Sequence, residues 1–289
     1  MQKRHVLNSP SLLGLKKHRR KIIFMKTALS FVVLSCIFAL FAYISNLEKL
    51  NISSVEIEGN KVMTSEDIRP IVEKEIAGNY FWFFPKTNIF LYPKKDITKE
   101  IFNISKRVKG MSFRVKDNKT LVVSVVERTA LYTWCGDVPP AVDSKEKPQC
   151  YFLDESGYIF NEAPYFSGEV YFKFYGSIPF NTGIPSGLYF SPANFIKLAV
   201  FKRTLALMGM KPAIMYLQDD GDVRITLSSK TQAVGPEILF KISSDFETVA
   251  GNLDAVLSTE PLLSGFKDKY SSLLYIDLRF GNKVYYKFK

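Results

Sequence analysis

The stretch Thr27–Ser45, TALSFVVLSCIFALFAYIS, runs nineteen residues without a charge. As a helix it would measure about 28 Å, close to the ~30 Å hydrocarbon thickness of a bilayer. No other feature restricts the fold as much, because a segment in lipid must satisfy its own backbone. Its flanks differ sharply. Lys3, Arg4, Lys16, Lys17, Arg19, Arg20, Lys21 and Lys26 precede it, and the first acid is Glu48. Those eight positive charges make up most of the net +11, leaving about +3 for everything after them.

A basic tail can mark nucleic-acid binding. Here it abuts the apolar run, so it reads as the positive-inside signal of a membrane anchor. A cleaved secretory signal is the competing reading. It would have a shorter apolar core and a small-x-small cleavage site, and FAYISNLEKL offers no such site. The expectation is a basic cytoplasmic tail over 1–25, an uncleaved signal-anchor helix in the bilayer over 26–46, and extracytoplasmic domains beyond, with no nucleic-acid partner.

Cysteine usage agrees with that placement. Cys36 lies in the span. Cys135 and Cys150 flank the polar loop GDVPPAVDSKEKPQ between strand-like runs. A structural disulfide is the first reading in an oxidising compartment, and two free thiols the alternative. Both histidines, His5 and His18, belong to the basic tail, which leaves no zinc ligand set across the membrane.

Beyond the span the pattern changes period. A short strand at Ser54–Glu58 precedes TSEDIRPIVEKEIA, where Thr64 and Asp67 have capping-box spacing and Ile68, Ile71, Val72 and Ile76 recur helically. Pro70 should bend or delay that helix. The aromatic stretch NYFWFFPKTNIFLYP follows, then a helix over about 95–107. A hairpin turns at Asp117–Lys119 into the apolar strand Leu121–Val126. The aromatics Tyr80–Phe84 have two readings: core filling between helices, the favoured one, or docking at a membrane interface or a partner.

After Trp134 the chain is mostly strand-like. CYFLDESGYIFNEAP reads as a hairpin and VYFKFYG as a strand. In SPANFIKLAVFKRTLALMG, Ser191 should cap a helix that Gly209 ends. AIMYLQDDGDVRITLS is a hairpin around Asp-Gly, and SSDFETVAGNLDAVL is a helix. The expected class is α+β, with an order of strand, helix, helix, strand, strand over 50–131 and a β-rich domain over 132–289.

Enzyme motifs are few. G-x-S-x-G, Walker A and H-E-x-x-H are missing, and no histidine is available for a triad across the membrane. S-x-x-K occurs at Ser144–Lys147 and Ser264–Lys267, without S-D-N or K-T-G partners, so a Ser-Lys hydrolase is only a distant rival. Asp219, Asp220 and Asp222 fit a solvated turn better than a calcium loop. The reading is a non-enzymatic chain with no cofactor and no small-molecule substrate.

LLYIDLRFGNKVYYKF reads as a closing hairpin. Ile276, Leu278 and Phe280 form one apolar row, and Val284, Tyr286 and Phe288 another. Matching the rows sets Phe280 opposite Val284 and Asp277 opposite Lys287, with a three-residue loop Gly281–Lys283. Gly-Asn alone would favour a two-residue turn. The last strand then has a free edge. Lys283, Lys287 and Lys289 could simply guard it, or a partner segment could add there as a strand.

Four stretches carry a resemblance. VEIEGNKVMTSEDI resembles the start, and FRVKDNKTLVVSVVERTALYTW the end, of the POTRA domain of the bacterial cell-division family FtsQ/DivIB. CYFLDESGYIF resembles the strand pair opening that family's β domain, and YIDLRFGNKVYYK its closing hairpin. The resemblance spans about 50–289. Asn118 and Lys119 replace a common turn proline, and Ala130 replaces the proline that often follows Glu-Arg. It implies a POTRA domain over 50–131 and a β domain over 132–289. It further implies a single-pass divisome scaffold at the septum, binding FtsB-like and FtsL-like coiled-coil proteins and helping to control septal peptidoglycan synthesis. The implied partner-binding residues are Arg279, Phe280, Asn282, Val284 and Tyr286. A POTRA-bearing secretion or transport factor is the alternative.

Overall fold

A computed structural model describes the chain except residues 1–9, 142–143, 145–146, 165, 167–169, 180–182, 230–234, 261 and 269; His5, Lys3 and Arg4 therefore lie outside the described residues. The fold is mixed α+β, with one long apolar helix near the N-terminus and a large sheet. Two compact units divide it: residues 1–101 with 111–125, and residues 102–110 with 126–289.

In the first unit, helix α1 (Pro10–Ser45) continues well before the uncharged run. Its stretch Lys17–Ser45 is long and apolar enough to cross a membrane, and all of it except Ala42 and Ser45 is exposed. Strand β1 (Ser54–Glu58) leads to helix α2 (Ser65–Ile76). The Thr64 hydroxyl accepts the Asp67 N–H, and the Asp67 carboxylate accepts the Thr64 N–H at 3.0 Å. That reciprocal cap lets the helix begin on schedule, and it runs through Pro70 without delay. Its stripe Ile68, Val72 and Ile76 is buried.

A miniature hairpin of β2 (Asn79–Tyr80) and β3 (Phe84–Pro85) precedes helix α3 (Lys94–Ile104), which buries Ile97 and Ile101. Strands β4 (Val108–Lys116) and β5 (Thr120–Glu127) then turn through Asp117 and Asn118, both at positive φ. β5 lies between β1, parallel to it, and β4. Leu121, Val122, Val123 and Val125 of β5 are buried, as a central strand requires.

The favoured core role for the aromatic stretch is overturned. Trp82 is 89% exposed and Phe81 84%. Phe81 and Trp82 form the hairpin tip at φ 48° and 65°, with the Phe83 N–H donating to the Tyr80 carbonyl. Two successive positive φ values suit Asn-Gly, and side chains with a Cβ cost roughly 1–2 kcal/mol each there. A tip bent this way turns its rings outward rather than between α2 and α3.

The second unit is one nine-stranded sheet. Its strands are β6 (Tyr132–Trp134), β7 (Cys150–Leu153), β8 (Ile159–Ala163), β9 (Phe172–Tyr175), β10 (Pro212–Leu217), β11 (Asp222–Leu227), β12 (Glu237–Lys241), β13 (Leu273–Phe280) and β14 (Lys283–Phe288). The order is β14-β13-β12-β11-β10-β9-β6-β7-β8. Helix α4 (Phe195–Leu207) connects the parallel pair β9 and β10. Helices α5 (Phe246–Leu257) and α6 (Leu262–Asp268) connect the parallel pair β12 and β13. Parallel neighbours need such crossovers. One sheet face joins the helices in the core, where Phe201 meets Phe240 at 4.7 Å and Phe174 meets Phe195 at 5.1 Å.

Asp245 caps α5, its carboxylate accepting the Thr248 N–H. Ser191 does not cap α4. It sits at φ 43° in a preceding turn, and the helix starts four residues later at Phe195.

Two devices tie the start of this unit together. Cys135 and Cys150 are bridged, both buried at the facing ends of β6 and β7. They are 15 residues apart, and closing such a loop contributes about 3 kcal/mol in the chain-entropy model. Mass analysis of protein from an oxidising compartment should show the bridge, and Cys135→Ser/Cys150→Ser should lower stability by about that amount. Free alkylatable thiols at both positions would refute it.

The second device is Asp154, which is fully buried. Its carboxylate accepts the Ser156 N–H and hydroxyl, the Tyr158 N–H and the Arg128 guanidinium, which stacks 3.8 Å from the Tyr158 ring centroid. Burial pushes the Asp154 carboxyl up. The hydrogen bonds from Ser156, Arg128 and Tyr158 together outweigh burial and hold it below the usual carboxylate range.

Candidate interaction edge on the nine-stranded sheet

A sheet of nine strands has two edges, and their treatment differs. At the β8 edge, the Ile159 N–H donates to the Leu188 carbonyl and the Gly187 N–H to the Ile159 carbonyl, so the 187–190 stretch covers its beginning. Tyr158 and Tyr189 extend that cover with a ring contact at 5.0 Å. At the other end, no described residue pairs with the outer edge of β14.

The hairpin that builds this edge departs from the expected register. Phe280 opposes Lys283 across the two-residue turn Gly281-Asn282, and Gly281 takes φ 65°. Asp277 opposes Tyr285, and Tyr275 opposes Lys287, so the expected pairs Phe280–Val284 and Asp277–Lys287 do not form. An irregularity between Asp277 and Phe280 absorbs the extra residue on β13. The Asn252 side chain on α5 donates to the Gly281 carbonyl at 3.0 Å and pins the turn. Below the irregularity the apolar rows still match, with Ile276 opposite Tyr286. Above it the parity changes, and Phe280 leaves the core row to stand 56% exposed against Tyr285 at 5.2 Å.

The backbone of β14 can be oriented. The Lys289 N–H donates to the Ser272 carbonyl at 2.7 Å, and Lys283 closes the tight turn. Alternation then points the amides of Lys283, Tyr285 and Lys287 toward β13, and those of Val284, Tyr286 and Phe288 away from the sheet. The side chains alternate as well. Val284 and Phe288 pack on the core, with Tyr286 beside Phe288 at 6.0 Å. Lys283, Tyr285 and Lys287 are exposed on the opposite face.

On that opposite face, Tyr216, Arg224, Leu239, Asp277 and Tyr285 stand in register across β10 to β14. Arg279 is clamped there. It donates Nε and Nη2 to Asp277 at 2.9 and 2.6 Å and Nη1 to Asp222 at 2.5 Å. Lys241 donates to the other Asp222 oxygen at 2.8 Å. The bonds to Asp277, then Asp222, push the Arg279 guanidinium further up, and Lys241 and Arg279 hold Asp222 low against its burial. Three of the five guanidinium N–H groups are thus engaged within the sheet.

The sequence-suggested set is therefore divided. Val284 and Tyr286 present unpaired backbone, Phe280 presents an exposed ring, Asn282 is exposed in the turn, and Arg279 serves chiefly to hold β13. Tyr285 was not singled out from sequence, because the shifted parity that pairs it with Phe280 is invisible there. The Ser264 hydroxyl donates to Glu260 at 2.6 Å, while the side chain of Lys267 lies outside the described residues. Among the described residues no group of three His, Cys, Asp or Glu is placed to hold a metal ion. No protein-family model matches this chain, and no curated protein matches it.

Proposed function

We propose that this chain is a single-pass, non-enzymatic membrane scaffold of the FtsQ/DivIB type, with its N-terminus cytoplasmic, working at the division septum. In this reading it has a POTRA domain over 50–131 and a β domain over 132–289. The β domain captures an FtsB-like partner, with an FtsL-like companion, by strand addition to β14. The open outer edge of β14, beside a β8 edge that the chain partly covers, is the observation that carries the reading. Strand addition draws affinity from backbone hydrogen bonds and specificity from alternating side chains.

The faces of β14 set the chemistry of the incoming strand. Its residues on the core side meet Val284, Tyr286 and Phe288, so they are apolar. Those on the other side meet Lys283 and Lys287, so they include acids. Truncation after Lys283 should leave the protein in the membrane and abolish co-purification of the partner, provided circular dichroism of the variant stays native. Unchanged co-purification by the folded truncation would overturn the proposal.

A further inference from the structure

The Tyr80–Phe84 hairpin is built against the end of α1. Phe83 and Phe84 meet Phe38 edge-to-face at 5.7 and 5.3 Å. Asn46, just past α1, donates its side-chain amide to the Phe83 carbonyl at 2.8 Å, and Asn88 donates to the Ser45 carbonyl at 3.0 Å. Phe38 lies two helical turns before Ser45, about 10 Å along the axis. The uncharged run Thr27–Ser45 is only just long enough to span hydrocarbon, so all of it is needed for the crossing. Whatever touches Phe38 from the side therefore sits at bilayer depth.

The hairpin is suited to that depth. From Asn79 to Pro85 it carries no charge. Three of its carbonyls are satisfied within the chain: Tyr80 by the Phe83 N–H, Phe83 by Asn46, and Trp82 by Asn79 at 3.4 Å. Internal partners of this kind lower the cost of bringing backbone into lipid. Lys86 stands over the Tyr80 ring at 5.7 Å, a position from which its ammonium reaches water while its stem stays apolar. Between α1 and the hairpin runs an almost wholly apolar groove of about 650 Å³, lined by Phe38, Phe41 and Ile44 on one side and Phe81, Phe84 and Phe90 on the other.

We infer that this hairpin is a second membrane anchor: Phe81 and Trp82 enter the leaflet that α1 leaves at Ser45, and lipid acyl chains fill the groove. The inference rests on the reading of α1 as a membrane span. Trp and Tyr favour the boundary between acyl chains and headgroups. The anchor holds the first folded unit against the bilayer at a second point besides the single covalent connection.

The chain contains two tryptophans, Trp82 and the buried Trp134, which makes a direct test possible. The full chain would be reconstituted in phosphatidylcholine vesicles with quenchers attached to the upper acyl carbons. Lipid quenching of tryptophan emission should be strong and should vanish in Trp82→Phe, leaving Trp134 unquenched. A Phe31→Trp probe in the Trp82→Phe background reports α1 separately and should be quenched from deeper acyl positions. Quenching of that probe without quenching of Trp82 would overturn the anchor and spare the span. Loss at both positions would overturn the span and the anchor with it. Blue-shifted Trp82 emission that lipid cannot quench would place protein, such as a second copy, over the ring and would also overturn the anchor.

Discussion

Val284→Pro and Tyr286→Pro should abolish capture of an FtsB-like partner while leaving the β domain folded. Both amides point away from the sheet, so proline removes a donor that only an incoming strand would use. Lys287→Pro should act differently, because its amide faces β13, and its replacement removes a hairpin bond and lowers stability. Co-purification and thermal melting on the same samples separate the two effects. Binding lost at 284 and 286 with an unchanged melt, against a lowered melt at 287, is the expected pattern. Normal binding by folded Val284→Pro and Tyr286→Pro variants would remove strand addition from the proposal.

Arg128→Ala and Asp154→Ala should each destabilise the second unit by about 3–5 kcal/mol, since each leaves a buried charge without its partner. That corresponds to a fall in Tm on the order of 10 °C. The pH dependence has a definite sign. Asp154 is held below its unfolded value, so its contribution is complete above about pH 4 and is lost as pH falls through the lower, folded value. Acid titration of stability should therefore be shallower in Asp154→Asn than in the parent chain. Equal acid sensitivity in the two would assign the loss to other carboxylates, Asp222 foremost.

Much of the fold was legible because local signals and the tertiary fold agree. The Thr64–Asp67 cap, the stripe Ile68, Val72 and Ile76, and the Asp-Gly turn before Asp222 are interactions within a few residues, and each forms where its spacing suggests. Strand β12 is hard to read from sequence because Glu237–Lys241 is only five residues long, too short to establish a period even with the turn signal Gly235-Pro236 just before it. Asp154 gave no sign of burial, since an Asp in DESGY reads as an exposed turn until Arg128 arrives from 26 residues earlier in the chain.

The terminal hairpin and the aromatic stretch show where sequence alone stops. Alternation along Ile276–Phe280 and Val284–Phe288 determined which rows belong together, and Gly-Asn determined a tight turn. Both are local facts, and taken alone they demanded different registers. Only the tertiary structure reconciled them, by an irregularity between Asp277 and Phe280 that lets the two-residue turn and the matched rows coexist. The same irregularity exposes Phe280 and sets the Val284 and Tyr286 amides outward. Likewise, the sequence by itself determined that Tyr80–Phe84 is apolar and uncharged, but burial is a relation between segments. Whether those rings fill a core or face outward was decided by the positive φ values at Phe81 and Trp82 and by Phe38 and Asn46 of a distant stretch, which hold the hairpin beside α1.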